Sequence, residues 1–83
     1  MYETIGDKIK MLATFEHGII SPCLFRWNNR EYRVKEISLR YQEKSGVSVN
    51  HFFAVETEDG NVFKLSFNDR SLVWKLEEVW NDK

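Results

Sequence analysis

Turn-forming pairs recur at short intervals along the chain: His17-Gly18 with Pro22 close behind, Asn28-Asn29, Ser45-Gly46, Asp59-Gly60 and Asn68-Asp69. The runs between them are rich in aromatic and β-branched residues and alternate in hydrophobicity, the signature of an antiparallel meander. Six strands follow, at roughly 9–16, 22–27, 31–41, 47–57, 61–67 and 72–79. Composition agrees, since 12 of the 83 residues are Phe, Tyr or Trp and 15 are Val, Ile or Thr, against two alanines. Such residues suit a pleated, half-buried surface. A chain of this length holds one core, so residues 1–83 read as a single small all-β domain with a frayed tail at 81–83.

The first strand competes with a helix, because Ile5, Ile9 and Leu12 also fall on one helical face. Yet Ile9, Met11, Ala13 and Phe15 alternate with Lys10, Leu12, Thr14 and Glu16, which favours a strand from residue 9. Residues 1–7 then read as a turn or a short helical piece.

Parity assigns the faces of the later strands. Cys23, Phe25 and Trp27 share a side, and across the Asn28-Asn29 turn Tyr32 and Val34 join them. The next apolar alternates, Ile37, Leu39 and Tyr41, are an odd step from Val34, so a β-bulge is expected near Lys35-Glu36. A bulge there bends the strand and implies a strongly curved sheet or small barrel. For the following hairpin, a three-residue loop Glu58-Asp59-Gly60 with Gly60 left-handed pairs Phe53 and Val55 with Phe63 and Leu65. That register puts Val47, Val49, His51, Phe53, Val55, Phe63, Leu65 and Phe67 inside and turns Phe52, Ala54 and Val62 outward. The last strand sends Leu72, Trp74 and Leu76 to the core, with Val79 and Trp80 as a closing plug.

Several kinds of chemistry lack parts. Cys23 reads as an inert inward thiol, His51 as a core or edge histidine and His17 as a solvated turn residue, so no nucleophile–base set emerges and an enzyme is not expected. One Cys and two separated His fall short of a zinc set, the carboxylates lack a calcium-loop pattern, and the four glycines form no phosphate loop. No metal, cofactor or small-molecule substrate is expected. The longest apolar runs, such as residues 52–55, are too short to cross a bilayer, and the N-terminus lacks a secretory pattern. With one cysteine and no internal disulfide, the expected compartment is the cytoplasm.

Two surfaces remain as candidates. The outward Phe52, Ala54 and Val62 form an apolar patch suited to a protein partner or to self-association, as does any open sheet edge. The alternative is a nucleic-acid accessory role for Arg26, Arg33, Lys35 and Arg40, in and beyond a segment (25–35) where cations and aromatics interleave. Net charge is −1 overall, yet residues 23–46 carry six Lys or Arg against three Glu. Within that segment Arg26 is expected to face Glu31 across the hairpin and Arg30 to lie over Trp27.

The order Pro22, Phe25, Trp27, Arg30, Tyr32, Val34, then Phe53, Val55, then Gly60, Phe63, Leu65, and finally Trp74 and Leu76 resembles a family of small bacterial domains of unknown function. The resemblance spans roughly residues 19–79. Some relatives occur beside Y-family translesion DNA polymerases, so it implies an accessory role in DNA repair. It transfers no active-site residue.

Overall fold

The computed structural model describes residues 1–80; the tail expected at 81–83 lies outside the described residues. Six strands follow one another as an antiparallel meander: β1 Tyr2–Glu16, β2 Ile19–Trp27, β3 Arg30–Ser45, β4 Ser48–Thr57, β5 Val62–Asn68 and β6 Trp74–Trp80. The first two turns carry positive φ at both central residues, His17 and Gly18 at 51° and 77°, then Asn28 and Asn29 at 52° and 62°. That geometry matches the right-handed twist of the strands it joins, and Asn tolerates it nearly as well as Gly.

The meander closes on itself, because β1 also pairs with β6, from Tyr2↔Trp80 to Ile9↔Trp74. The N-terminal residues expected as a turn or helical piece are therefore strand. Their irregularity is a register shift between Thr4 and Asp7, where Gly6 sits at φ 74°. In the resulting ring, Phe25, Tyr32 and Phe63 pack within 5.0–5.3 Å of one another at one end. Phe53, Phe67 and Trp74 form a second aromatic group, with centroids 4.9 and 5.6 Å apart. Between them lie Val55, Leu65 and Leu76, all fully buried. Aromatics thus supply most of the volume that so short a chain needs.

The β4–β5 hairpin has the expected register, Val55↔Phe63 and Phe53↔Leu65. Thr57 N–H donates to the Asn61 carbonyl at 2.9 Å, which leaves Glu58-Asp59-Gly60 as the loop, with Gly60 at φ 87°. The shift between Val34 and Glu36 is the expected bulge at Lys35.

A second shift, between Ile37 and Leu39, was not legible from alternation alone. Ser38 becomes the extra residue, so Ile37 faces inward but Leu39 and Tyr41 face outward, against the expectation of one shared face. A third, between Leu12 and Ala13 on β1, makes Cys23 the extra residue of β2, because Leu24 pairs Leu12 and Pro22 pairs Ala13. Pro22 is buried in its place and Cys23 is exposed, not inward.

Two further residues expected inside are outside. Val47 is 81% exposed because Ser45 pairs Ser48 and Gly46-Val47 is the two-residue loop. Leu72 is 69% exposed at φ 61°, in a loop where the Asn68 side chain accepts from the N–H groups of Arg70 and Ser71. Trp80 also points outward rather than plugging the core, while Val79 packs against it.

These placements predict unequal costs. Leu65→Ala should lower unfolding stability by about 2–5 kcal/mol. Leu72→Asn should raise it by up to about 1 kcal/mol, since a leucine in the left-handed region is strained and this one buries little. Urea titrations of both variants check the pair; a destabilised Leu72→Asn would contradict its placement.

Candidate functional site

The chemistry-bearing residues are dispersed. The Cys23 thiol donates to the Ser21 carbonyl at 3.4 Å, and His51 Nε2 lies 3.3 Å from Asp69 Oδ2. The two share no hydrogen bond, and no group of three or more His, Cys, Asp or Glu side chains is placed to hold a metal among the described residues. Asp69 works as a clamp: its Oδ1 accepts from the Val49 N–H at 3.0 Å and its own N–H donates to the Val49 carbonyl at 3.1 Å. The Val49 bond, followed by His51, holds the Asp69 carboxyl below the usual aspartate value against a small desolvation. Asp59 is held low chiefly by the Thr57 hydroxyl, with Asn61 assisting.

Phe52, Ala54 and Val62 do share one outer face, and it is larger than parity suggested. The second bulge adds Leu39 and Tyr41, and ring closure adds Tyr2 and Trp80. Tyr41 stacks on Phe52 with centroids 4.9 Å apart, and Tyr2 meets Trp80 edge-on at 4.8 Å. Leu39 pairs Ala54 and Val62 pairs Trp80, and Tyr2, Leu39, Tyr41, Ala54 and Val62 line one shallow depression around Lys64 and Glu78. In its middle Lys64 lies 5.1 Å from the Phe52 ring centroid and 3.8 Å from Glu78. The Tyr41 hydroxyl, then the charges of Glu78 and Glu43, raise the Lys64 ammonium above the usual lysine value despite some desolvation. The cation thus stays charged while its stem covers aromatic surface. Leu39 is 54% exposed, whereas Phe52 is half-buried beneath Tyr41 and Lys64.

The four expected cationic residues separate. Arg26, Arg33 and Lys35 are exposed, and Arg33 lies 3.9 Å from Glu58. Arg26 does face Glu31 across the hairpin, although no ion pair forms within 4 Å. Arg30 lies over Tyr32 rather than Trp27 and approaches Asp59 at 3.7 Å.

Arg40 has a different task. Among the described residues β2 and β3 pair only from Leu24↔Arg33 to Trp27↔Arg30, so beyond that point the two strands leave a seam. The Arg40 guanidinium crosses it to the Ile20 carbonyl and to Ser21 Oγ, and lies 5.9 Å from the Phe53 ring centroid. Sequence parity placed Arg40 on the surface because the bulge at Ser38 was invisible to it. Lys8, Lys10 and Lys75, which lie on the same outer surface as Arg26, also escaped the sequence reading.

The two low carboxyls set an acid limb. A carboxyl whose folded pKa lies below its unfolded value, about 3.9, stabilises the fold above that value and loses the contribution as pH falls through it. Urea midpoints of the wild type should therefore be flat near neutrality and drop below about pH 4. The Asp59→Asn, Asp69→Asn double variant should start lower and drop less; an acid limb as steep as that of the wild type would refute the two clamps.

The chain matches no protein-family model, no curated protein and no solved structure, so the resemblance to the domain-of-unknown-function family rests on the order of its motifs alone.

Proposed function

We propose that this protein is a non-enzymatic interaction module that associates with a second copy of itself through the apolar outer wall. The observation that supports this reading is the continuity of Tyr2, Trp80, Val62, Ala54, Leu39, Tyr41 and Phe52 on one face of the ring. Contiguous exposed apolar surface on a small domain marks an interaction site far more often than scattered apolar residues do. Tyr and Trp at its rim bring large, rigid contact area with a polar tip.

Charge favours a second copy as the occupant. The wall carries Lys64 and Glu78 at its centre, 3.8 Å apart, with Glu43 and Glu56 on the same face. A two-fold contact uses the same patch on both sides and must be self-complementary. A face that carries both signs offers each copy's Lys64 to the carboxylates of the other, whereas a wall of single sign would repel itself. The dispersed Cys23 and His51 support the absence of catalysis in this reading, and a lone exposed thiol suits a reducing cytoplasm.

Sedimentation velocity across a hundredfold concentration range is the test. The wild type should shift from monomer to dimer, and Leu39→Glu, which alters an exposed side chain and no core contact, should remain monomeric. A wild type that sediments as a monomer throughout would sink the proposal.

A further inference from the structure

Ring closure also creates a second surface, of opposite character to the wall. Lys8 on β1 lies directly opposite Lys75 on β6, and Lys10 on β1 lies directly opposite Arg26 on β2. Ile9 between the two lysines packs on the core, so Lys8 and Lys10 both face outward, about 6.8 Å apart along the strand. Like charges set directly across a ladder destabilise a sheet. Here two such pairs stand side by side across three strands.

No close ion pair holds them. None of the four cations comes within 4 Å of a carboxylate among the described residues. The nearby acids keep their charge but make no close ion pair with them. Asp7 accepts from Trp27 Nε1 at 2.9 Å, Glu77 accepts from the Ser66 hydroxyl at 2.6 Å, and Glu31 faces Arg26 without pairing. Between β1 and the Asn28-Asn29 turn, Lys8, Lys10 and Arg26 border an open groove of about 580 Å³. Lys8, Lys10, Lys75 and Arg26 outnumber Asp7, Glu31 and Glu77, so the face stays net positive in a chain of net charge −1.

The next outward rung is apolar: Leu12 lies opposite Leu24, with Leu12 65% exposed, and Arg33 stands opposite Leu24 on its far side. A row of cations running into an apolar platform fits a linear polyanion that also displays flat apolar groups. A single-stranded nucleic acid has both, with phosphates for the cations and unpaired bases for the leucines. A duplex hides its bases and would leave the platform unused. We infer that the face formed by Lys75, Lys8, Lys10 and Arg26, continued by Leu12 and Leu24, binds single-stranded nucleic acid.

Fluorescence anisotropy with a labelled oligothymidylate and with a duplex of equal length, from 50 to 200 mM salt, tests this. The single strand should bind more tightly, with log K falling against log salt at a slope of about −3 for four phosphate contacts. Lys10→Gln and Arg26→Gln should each weaken binding and flatten that slope by roughly 0.7. Leu12→Ser should weaken the single strand without changing its slope. Lys8→Gln should weaken binding and also raise the melting temperature of the free protein, because it removes one member of a like-charge pair. No binding at 50 mM salt, equal or tighter binding of the duplex, or charge variants that bind as the wild type does would each overturn the assignment. Binding by a protein that sediments as a monomer supports this face and refutes only the self-association of the apolar wall.

Discussion

Everything on the outside of this protein depends on the ladder between β1 and β6. A six-stranded meander has two free edges, each a row of unpaired backbone donors and acceptors, and pairing the first strand with the last covers β6 and residues 2–9 of β1. The same ladder decides which side chains become neighbours. It lays Tyr2 beside Trp80, which completes the apolar wall, and Lys8 beside Lys75, which completes the cationic row. Both candidate surfaces thus combine residues near opposite ends of the chain, and neither is complete until the ring closes.

Inside the ring the physical problem is volume. A chain of 83 residues buries a smaller share of its surface than a larger domain does. The answer here is two aromatic groups, Phe25 with Tyr32 and Phe63, and Phe53 with Phe67 and Trp74, held apart by Val55, Leu65 and Leu76. The ladders break register at Lys35, Ser38, Cys23 and Glu77 and again around Gly6, and such bulges bend the strands. Each one resets the alternation, so a bulge bends a strand and also chooses which residues reach solvent. At the seam between β2 and β3 a side chain, Arg40, supplies hydrogen bonds to Ile20 and Ser21 where a neighbouring strand is absent.

Alternation placed residues correctly in the interiors of the β4–β5 and β5–β6 ladders and failed where it was carried into a turn, as at Val47 and Leu72. The β4–β5 register, with Phe53 and Val55 inside and Phe52, Ala54 and Val62 outside, followed from counting loop residues and asking which register buried more. The bulge at Lys35 followed from a parity step between Val34 and Ile37. The bulge at Ser38 left no such trace, because Leu39 and Tyr41 continue the apolar pattern of Ile37 and looked like core; only pairing with β4 exposes the step. Cys23 was misplaced for the same reason. The cationic face was illegible for a different one: Lys8 and Lys75 are far apart in sequence, and residues 1–7 looked too weakly patterned to be strand. Local pattern carries the faces of a hairpin, whereas the partner of the first strand is a long-range fact.

Closure of the ring is checked by nuclear Overhauser effects between the backbones of residues 2–9 and 74–80. A closed ring gives cross-strand contacts at Tyr2 with Trp80, Lys8 with Lys75 and Ile9 with Trp74, and slow amide exchange in β1 ahead of residue 9. A spectrum lacking those contacts, with residues 2–8 exchanging as freely as an unstructured chain, would contradict it and would dissolve both surfaces together.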